Sequence, residues 1–254
     1  MTHTTVPVIF DLDGTLVDPA QGISDGIATA LTELGLAVPG KARLDAMIGP
    51  KLSHSLVDIA GVPAAQLEEA IRIYRAHYLS TGIAQSRLYP GIRSLLESYV
   101  EAGRPIAVAT QKPEGLARIV LEHHGIDTCF RFIRGSAADE AAPATGQAGK
   151  AGIVAAALAD LETLAEADTR HAVMVGDRAQ DVAGAAANGL DCIGVGWGFA
   201  LDGELRAAGA VAIVHSTAAL YDTIGGLDPV RTAARLTSDP TADAPNEVHT
   251  DGNV

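Results

Sequence analysis

The chain has 254 residues, 18 of them Lys or Arg and 31 Asp or Glu, for a formal charge of −13. That balance argues against a nucleic-acid binder, which needs a basic face, but admits a small anionic substrate where metal ions or helix N-termini supply local positive charge. Hydrophobic residues at 48% and charged ones at 19% are enough for a core and exclude wholesale disorder, and aromatics at 4% make that core aliphatic.

In chain order, the apolar run 6–10 reads as a buried strand that ends in the turn Asp11-Leu12-Asp13-Gly14-Thr15. From about 20 to 82 the period is helical: Ile23, Ile27, Leu31 and Leu34 form one stripe, and Leu67, Ile71, Tyr74 and Tyr78 another. Gly49-Pro50 and Gly61-Val62-Pro63 punctuate this block, and no strand is expected between Asp18 and Leu88. After Tyr89-Pro90-Gly91 strands and helices alternate. Ile92, Leu95, Leu96 and Tyr99 mark a helix, and Ile106–Thr110 a strand. Leu116, Ile119 and Val120 mark a helix, Phe130–Ile133 a strand, and 136–149 a long loop. Ile153, Val154, Ala157 and Leu158 open a helix, then come strand His171–Val175, helix Ala179–Asn188, strand Asp191–Val195 and strand Val211–Val214. Residues from about 228 carry no period and read as a disordered tail.

This alternation predicts an α/β fold: a Rossmann-like parallel sheet with helices on both faces, interrupted after its first strand by an all-helical second domain. The expected division is 1–17 with 89–227 for the core, 18–88 for the insert, and 228–254 for the tail. Cys129 and Cys192 lack a CxxC spacing, so neither a disulfide framework nor zinc is expected. No signal-peptide pattern opens the chain and no apolar run approaches the roughly 18 residues of a membrane span, so the expectation is a cytoplasmic protein without a membrane partner.

Three polar signals fall at predicted strand ends: Asp11-x-Asp13-Gly14-Thr15, then Thr110, then Gly176-Asp177 with Asp181 four residues on. Ligands of open parallel sheets bind outside the carboxyl ends of the strands. Asp11, Asp13, Asp177 and Asp181 in one crevice would repel one another unless a hard cation joins them, and an oxygen-only donor set favours Mg²⁺. Asp11 is then free to attack phosphorus, and Asp13, on the same side of an extended segment, to move the proton of the leaving oxygen. Gly14 permits the tight turn behind the nucleophile, and Thr110 with the turn amides can hold phosphoryl oxygens. A lysine is also required to balance the transferring charge.

DLDGTLVD at 11–18, AVATQKP around Thr110 and MVGDRAQD at 174–181 resemble the haloacid dehalogenase superfamily, most closely its phosphoglycolate-phosphatase-like branch with a helical cap. The resemblance spans about residues 5–225. It implies Asp11 as nucleophile and Mg²⁺ ligand, Asp13 as acid–base with its backbone carbonyl on the metal, and Thr110 on the phosphate. It also implies Asp177 as a ligand and Asp181 as a direct or water-mediated one. A carboxylate at Asp13 implies phosphate-ester chemistry, since dehalogenating members lack it. The family's lysine is expected at Lys150, with Lys112 as the competitor. Gly14, Gln111 and, from the cap's specificity loop, Lys51 are the further substrate-binding candidates, with Arg87 near the hinge.

Simpler readings stand beside these. Asp181 is also a favourable helix N-terminal charge, Thr110–Pro113 a strand-to-helix turn, and His123-His124 a surface pair. Gly194, Gly196 and Gly198 lack the GxGxxG spacing and read as a plain loop, with Trp197 and Phe199 near the site's rim. The expected activity is a Mg²⁺-dependent phosphatase acting on a small phosphorylated metabolite through an aspartyl-phosphate. Its alternatives are a phosphotransferase or mutase, a pyrophosphatase or nucleotidase specificity, and a binding module with a decayed site; monomer and dimer stay open.

Overall fold

The computed structural model describes residues 5–19, 21–137 and 149–227. Six parallel strands form the sheet: β1 (Val8–Phe10), β4 (Ile106–Pro113), β5 (Phe132–Ser136), β6 (Val173–Gly176), β7 (Asp191–Val195) and β8 (Ala212–Val214). Their spatial order is β5-β4-β1-β6-β7-β8. Phe10 pairs with Val108 on one side and Val175 on the other. The chain therefore leaves β1 first towards one edge and later towards the other, which opens a crevice at the carboxyl ends of β1, β4 and β6.

Side chains of successive strand residues point to opposite faces, so each apolar strand feeds two cores. Val8, Phe10, Ile106, Val108, Val173 and Val175 join the core under α6 (Ile92–Glu101), α7 (Glu114–His123) and α11 (Thr217–Leu227). Ile9, Ala107, Ala109 and Met174 join the other, under α8 (Lys150–Leu161), α9 (Ala179–Ala186) and α10 (Glu204–Ala208). The α/β class, the parallel sheet and the helical insert are as the sequence implies.

Between β1 and β4 lies the insert. It holds α1 (Gly22–Glu33), α2 (Lys41–Asp45), α3 (Leu52–His54), α4 (Leu67–His77) and α5 (Ile83–Gln85), with π-helical turns at Ser55–Ile59 and Tyr78–Gly82. Its two apolar stripes bury as expected: Ile23, Ile27 and Leu31 on α1, and Ile71 and Tyr74 on α4 with Tyr78 just beyond it.

The expectation of no strand between Asp18 and Leu88 needs correction at its margins. β2 (Val17–Asp18) pairs antiparallel with β3 (Arg87–Leu88), so Val17 faces Leu88 and Asp18 faces Arg87 at the base of the insert. Two-residue strands carry no readable period, and this pairing joins segments some seventy positions apart. β4 also runs past Thr110 to Pro113, with a register shift between Ala109 and Pro113. β5 begins two residues later than expected, and β6 starts at Val173 after a 3-10 turn at Thr169–His171. Most of the loop expected at 136–149, and the tail from 228, lie outside the described residues. Among the described residues no helix is long and apolar enough to cross a membrane.

Candidate active site

Asp11 follows β1 directly, and its amide still donates to Val175 O in the sheet at 2.9 Å. The chain then reverses. Leu12 O accepts from the amides of Thr15, Leu16 and Val17, and Gly14 N–H donates to Val17 O at 2.8 Å. Gly14 has φ +89°, a conformation that glycine adopts without steric cost. A Cβ there would lie 2.2 Å from Asp177 Oδ2, so this turn requires glycine for space as well.

Asp177 follows β6 and is wholly buried. Its Oδ2 accepts from Phe199 N–H at 2.8 Å and its Oδ1 from the Thr15 hydroxyl at 3.3 Å. Asp181 sits in the first turn of α9, where its Oδ2 accepts from Arg178 N–H at 3.0 Å. Asp11, Asp177 and Asp181 bring carboxylate oxygens within 4.8 Å of one another.

Two buried lysines divide the acids between them. Lys150, first residue of α8, places Nζ 2.5 Å from Asp11 Oδ1 and 2.6 Å from Asp181 Oδ1. Lys112, at the irregular end of β4, places Nζ 2.7 Å from Asp13 Oδ2. A bulge of this kind re-aims side chains at a strand end. Burial opposes the charge of each lysine, but Asp11 with Asp181 for Lys150, and Asp13 with Tyr78 and Tyr74 for Lys112, outweigh it and raise both ammonium groups.

Four carboxylates thus face two ammonium groups. Burial, then Asp181 and Asp11, push Asp177 well above the usual carboxylate range, against the Phe199 amide and Arg178. Burial and the Asp11 charge push Asp181 up to about 6, with Lys150 opposing. Without a further cation this pocket favours protons on Asp177 and Asp181. Three clustered hard oxygen donors with excess negative charge fit a divalent metal ion.

The structure brings Asp11, Asp13, Thr110, Lys150, Asp177 and Asp181 to one edge of the sheet. Thr110 is buried, and its Oγ1 accepts from Lys112 N–H at 3.2 Å. Gln111 lines a cavity of about 40 Å³ with Asp13 and Lys112, roofed by Met47, Gly49 and Pro50 of the insert. Lys51, also from the insert, is buried but is not among the residues lining that cavity, and neither is Arg87, which is exposed on β3. His124 closes α7 and bonds Ser86 at 2.8 Å, an architectural contact.

The loop after β7 does more than the glycine pattern suggests. Trp197 Nε1–H donates to Thr15 O at 3.1 Å, and the Phe199 amide holds Asp177. A Cβ on Gly198 would lie 2.4 Å from Asp177 Oδ2 and 2.5 Å from Gly14 O. The missing signal is a backbone contact, which no side-chain motif announces. The Lys112–Asp13 pair is likewise not read from the sequence, where Lys112 stands only as the alternative to Lys150.

Parallel strands carrying a buried acid cluster at their carboxyl ends, with a helical insert after β1, define a doubly wound α/β protein whose site is built from carboxylates. Residues 8–195 match the family model described as haloacid dehalogenase-like hydrolase, and the chain belongs to that family. It is a hydrolase of the family's phosphatase type. It is 40% identical over 200 residues to a 5'-nucleotidase of Pseudomonas aeruginosa, covering 79% of this chain and 86% of that one. A phosphoglycolate phosphatase of Rhodospirillum rubrum is 30% identical over 233 residues, covering 87% and 92%. The structure of Mycobacterium tuberculosis Protein Tyrosine Kinase A (PtkA) superposes with a TM-score of 0.73 at 36% identity, covering 87% and 99%.

Proposed function

We propose that this protein is a Mg²⁺-dependent phosphatase that hydrolyses a small phosphomonoester through an aspartyl-phosphate on Asp11. The observation that carries the reading is the buried cluster in which Asp11, Asp177 and Asp181 meet, with Lys150 Nζ 2.5 Å from Asp11. Asp11, Asp177 and Asp181 would hold the metal ion, and the family resemblance adds the Asp13 backbone carbonyl; when bound, the ion offsets the negative charge of the phosphoryl oxygens and the acids.

An Asp11 oxygen attacks phosphorus, the bond from phosphorus to the ester oxygen breaks, and that oxygen takes a proton from Asp13. Water then attacks phosphorus, Asp13 recovers the proton, and the bond to Asp11 breaks to release phosphate. Lys150 offsets charge on Asp11 and on the transferring group, while Thr110, Gln111 and the Gly14 turn offer contacts to phosphoryl oxygens. Lys51 of the cap is, by family resemblance, the candidate contact for the part of the substrate that is not transferred. In this reading residues 1–17 and 89–227 form the core, 18–88 the cap and 228–254 a tail, with the β2–β3 pair as hinge. Closure of the cap would keep bulk water from the first step.

Phosphoglycolate is the default substrate by family resemblance. A nucleoside 5'-monophosphate is the second reading, supported by the 40% identity to a 5'-nucleotidase. Phosphate release from a panel holding both, with Mg²⁺ and with a chelator, tests the proposal. Asp11→Asn abolishes release on every substrate. Turnover that survives this substitution, or that ignores the chelator, overturns the mechanism.

A further inference from the structure

Lys112 is conspicuous because nothing in the phosphatase reading requires a second buried lysine. Its ammonium touches Asp13 Oδ2 at 2.7 Å, while Asp13 Oδ1 is buried without a hydrogen-bond partner. One carboxylate oxygen is therefore held by the ammonium and the other is left without a hydrogen-bond partner, on a residue that lines a small cavity with Gln111 and Lys112. On its other side the same ammonium lies over the ring of Tyr78, 4.5 Å from the centroid.

Tyr78 belongs to the insert, not to the sheet. It begins the π-helical turn Tyr78–Gly82, a local departure from the α-helix that alters side-chain direction. Its ring stacks on Tyr74 with centroids 5.6 Å apart and planes at 11°. A Cβ on Gly82 would come 2.7 Å from the Tyr78 ring, so the missing side chain at 82 makes room for it. Only 1% of Tyr78 is exposed. Tyr78 thus meets the ammonium with the face of its ring, and its buried hydroxyl lies near enough to the same ammonium to feel its charge.

We infer that Lys112 is a positioning residue: clamped by the Tyr78 ring of the insert, it fixes the Asp13 carboxyl so that Oδ1 faces the ester oxygen that leaves. This rests on the proposed role of Asp13 as proton donor. The proton still passes from Asp13 to the leaving oxygen; Lys112 neither gives nor takes it, and it stabilises the carboxylate that remains. Because the clamp comes from the insert, placement of the insert and orientation of the acid are one event.

The test is the dependence on leaving group. Phenyl phosphate and p-nitrophenyl phosphate differ by one nitro group, and the nitrophenolate leaves with little need of a proton. kcat/KM reports the ester-cleaving half of the reaction. Lys112→Met is expected to lose about fivefold to tenfold more kcat/KM on phenyl phosphate than on p-nitrophenyl phosphate, part of the range a general acid supplies. Lys112→Arg recovers part of that ratio. Tyr78→Leu, which removes both ring and hydroxyl, moves the ratio in the same direction, and Tyr78→Phe, which keeps the ring and loses the hydroxyl, falls between Tyr78→Leu and the parent. Activity on p-nitrophenyl phosphate reports that each variant folds.

Equal losses on both esters in Lys112→Met, carried by KM, would make Lys112 an ordinary phosphate ligand and overturn the inference. Asp13→Asn separates the two levels. If it shows the leaving-group bias and Lys112→Met does not, the positioning role alone fails. If Asp13→Asn shows no bias, the acid role of Asp13 fails and this inference with it.

Discussion

Gly198→Ala isolates the contribution of backbone packing to the acid cluster. Gly198 does not need a left-handed conformation, so alanine meets no backbone strain there. The added methyl would lie 2.4 Å from Asp177 Cβ and Oδ2 and 2.5 Å from Gly14 O, about 1 Å inside ordinary contact. Neither side can yield locally. Asp177 is tied to Phe199 N–H and to Thr15, and the Gly14 turn is closed by its own hydrogen bonds. Relief must come from moving the Trp197–Phe199 loop or Asp177, at an overpacking cost of about 1–3 kcal/mol. A displacement near 1 Å at a positioned acid costs on the order of 10²-fold in rate. The assay is steady-state phosphatase turnover against Mg²⁺ concentration, with denaturant melts alongside. The variant should show kcat down about 100-fold and half-saturation at higher Mg²⁺. Gly115→Ala is the control: nothing lies within 4 Å of its Cβ position on α7, so it keeps activity and gains about 0.5–1 kcal/mol. Parental kcat and metal dependence in Gly198→Ala would refute the claim that this loop positions Asp177.

Three further outcomes follow from the same contacts. Lys150→Met removes the ammonium between Asp11 and Asp181 and should destabilise the chelated protein by about 3–5 kcal/mol in denaturant melts, with part of the loss restored by Mg²⁺. For Glu204, burial opposes ionisation, but the Leu201 and Ala179 amides and Arg178 outweigh it and hold the carboxyl below its ordinary value. Its stabilisation is therefore present above the unfolded value of 4.5 and disappears as pH falls through the lower folded one. Glu204→Gln should cost about 1–2 kcal/mol at pH 7, and melts repeated at successively lower pH should converge with the parent. Asp181 has the opposite sign. Its folded value of about 6 exceeds the ordinary 3.8, so its contribution is greatest below that ordinary value and is lost as pH rises through 6. In chelator, Asp181→Asn should therefore gain on the parent between pH 4 and 7.5, and a constant gap between the two melting curves across that range would contradict this.

Much of the architecture was legible because burial on both faces leaves a plain trace. Val8–Phe10, Ile106–Thr110 and Asp191–Val195 are uninterrupted apolar stretches or close to it, and the stripes on α1 and α4 keep the helical period. The acids were legible for a different reason: Asp11, Asp13 and Asp177 follow strands whose parallel order puts their ends side by side. Each of these is a local signal combined with one rule of topology.

What only the tertiary structure decided are relations between segments with no shared period. The two lysines have the same charge, one near the end of β4 and the other opening α8, and periodicity does not say which acid each one meets. The bulge at the end of β4 turns one to Asp13, and the start of α8 presents the other to Asp11 and Asp181. The β2–β3 pair, the Phe199 amide on Asp177 and the Tyr78 ring over Lys112 are likewise invisible along the chain. Periodicity records which face a residue buries; it carries no record of which distant backbone group or ring it meets, because that is set by how the layers close on one another.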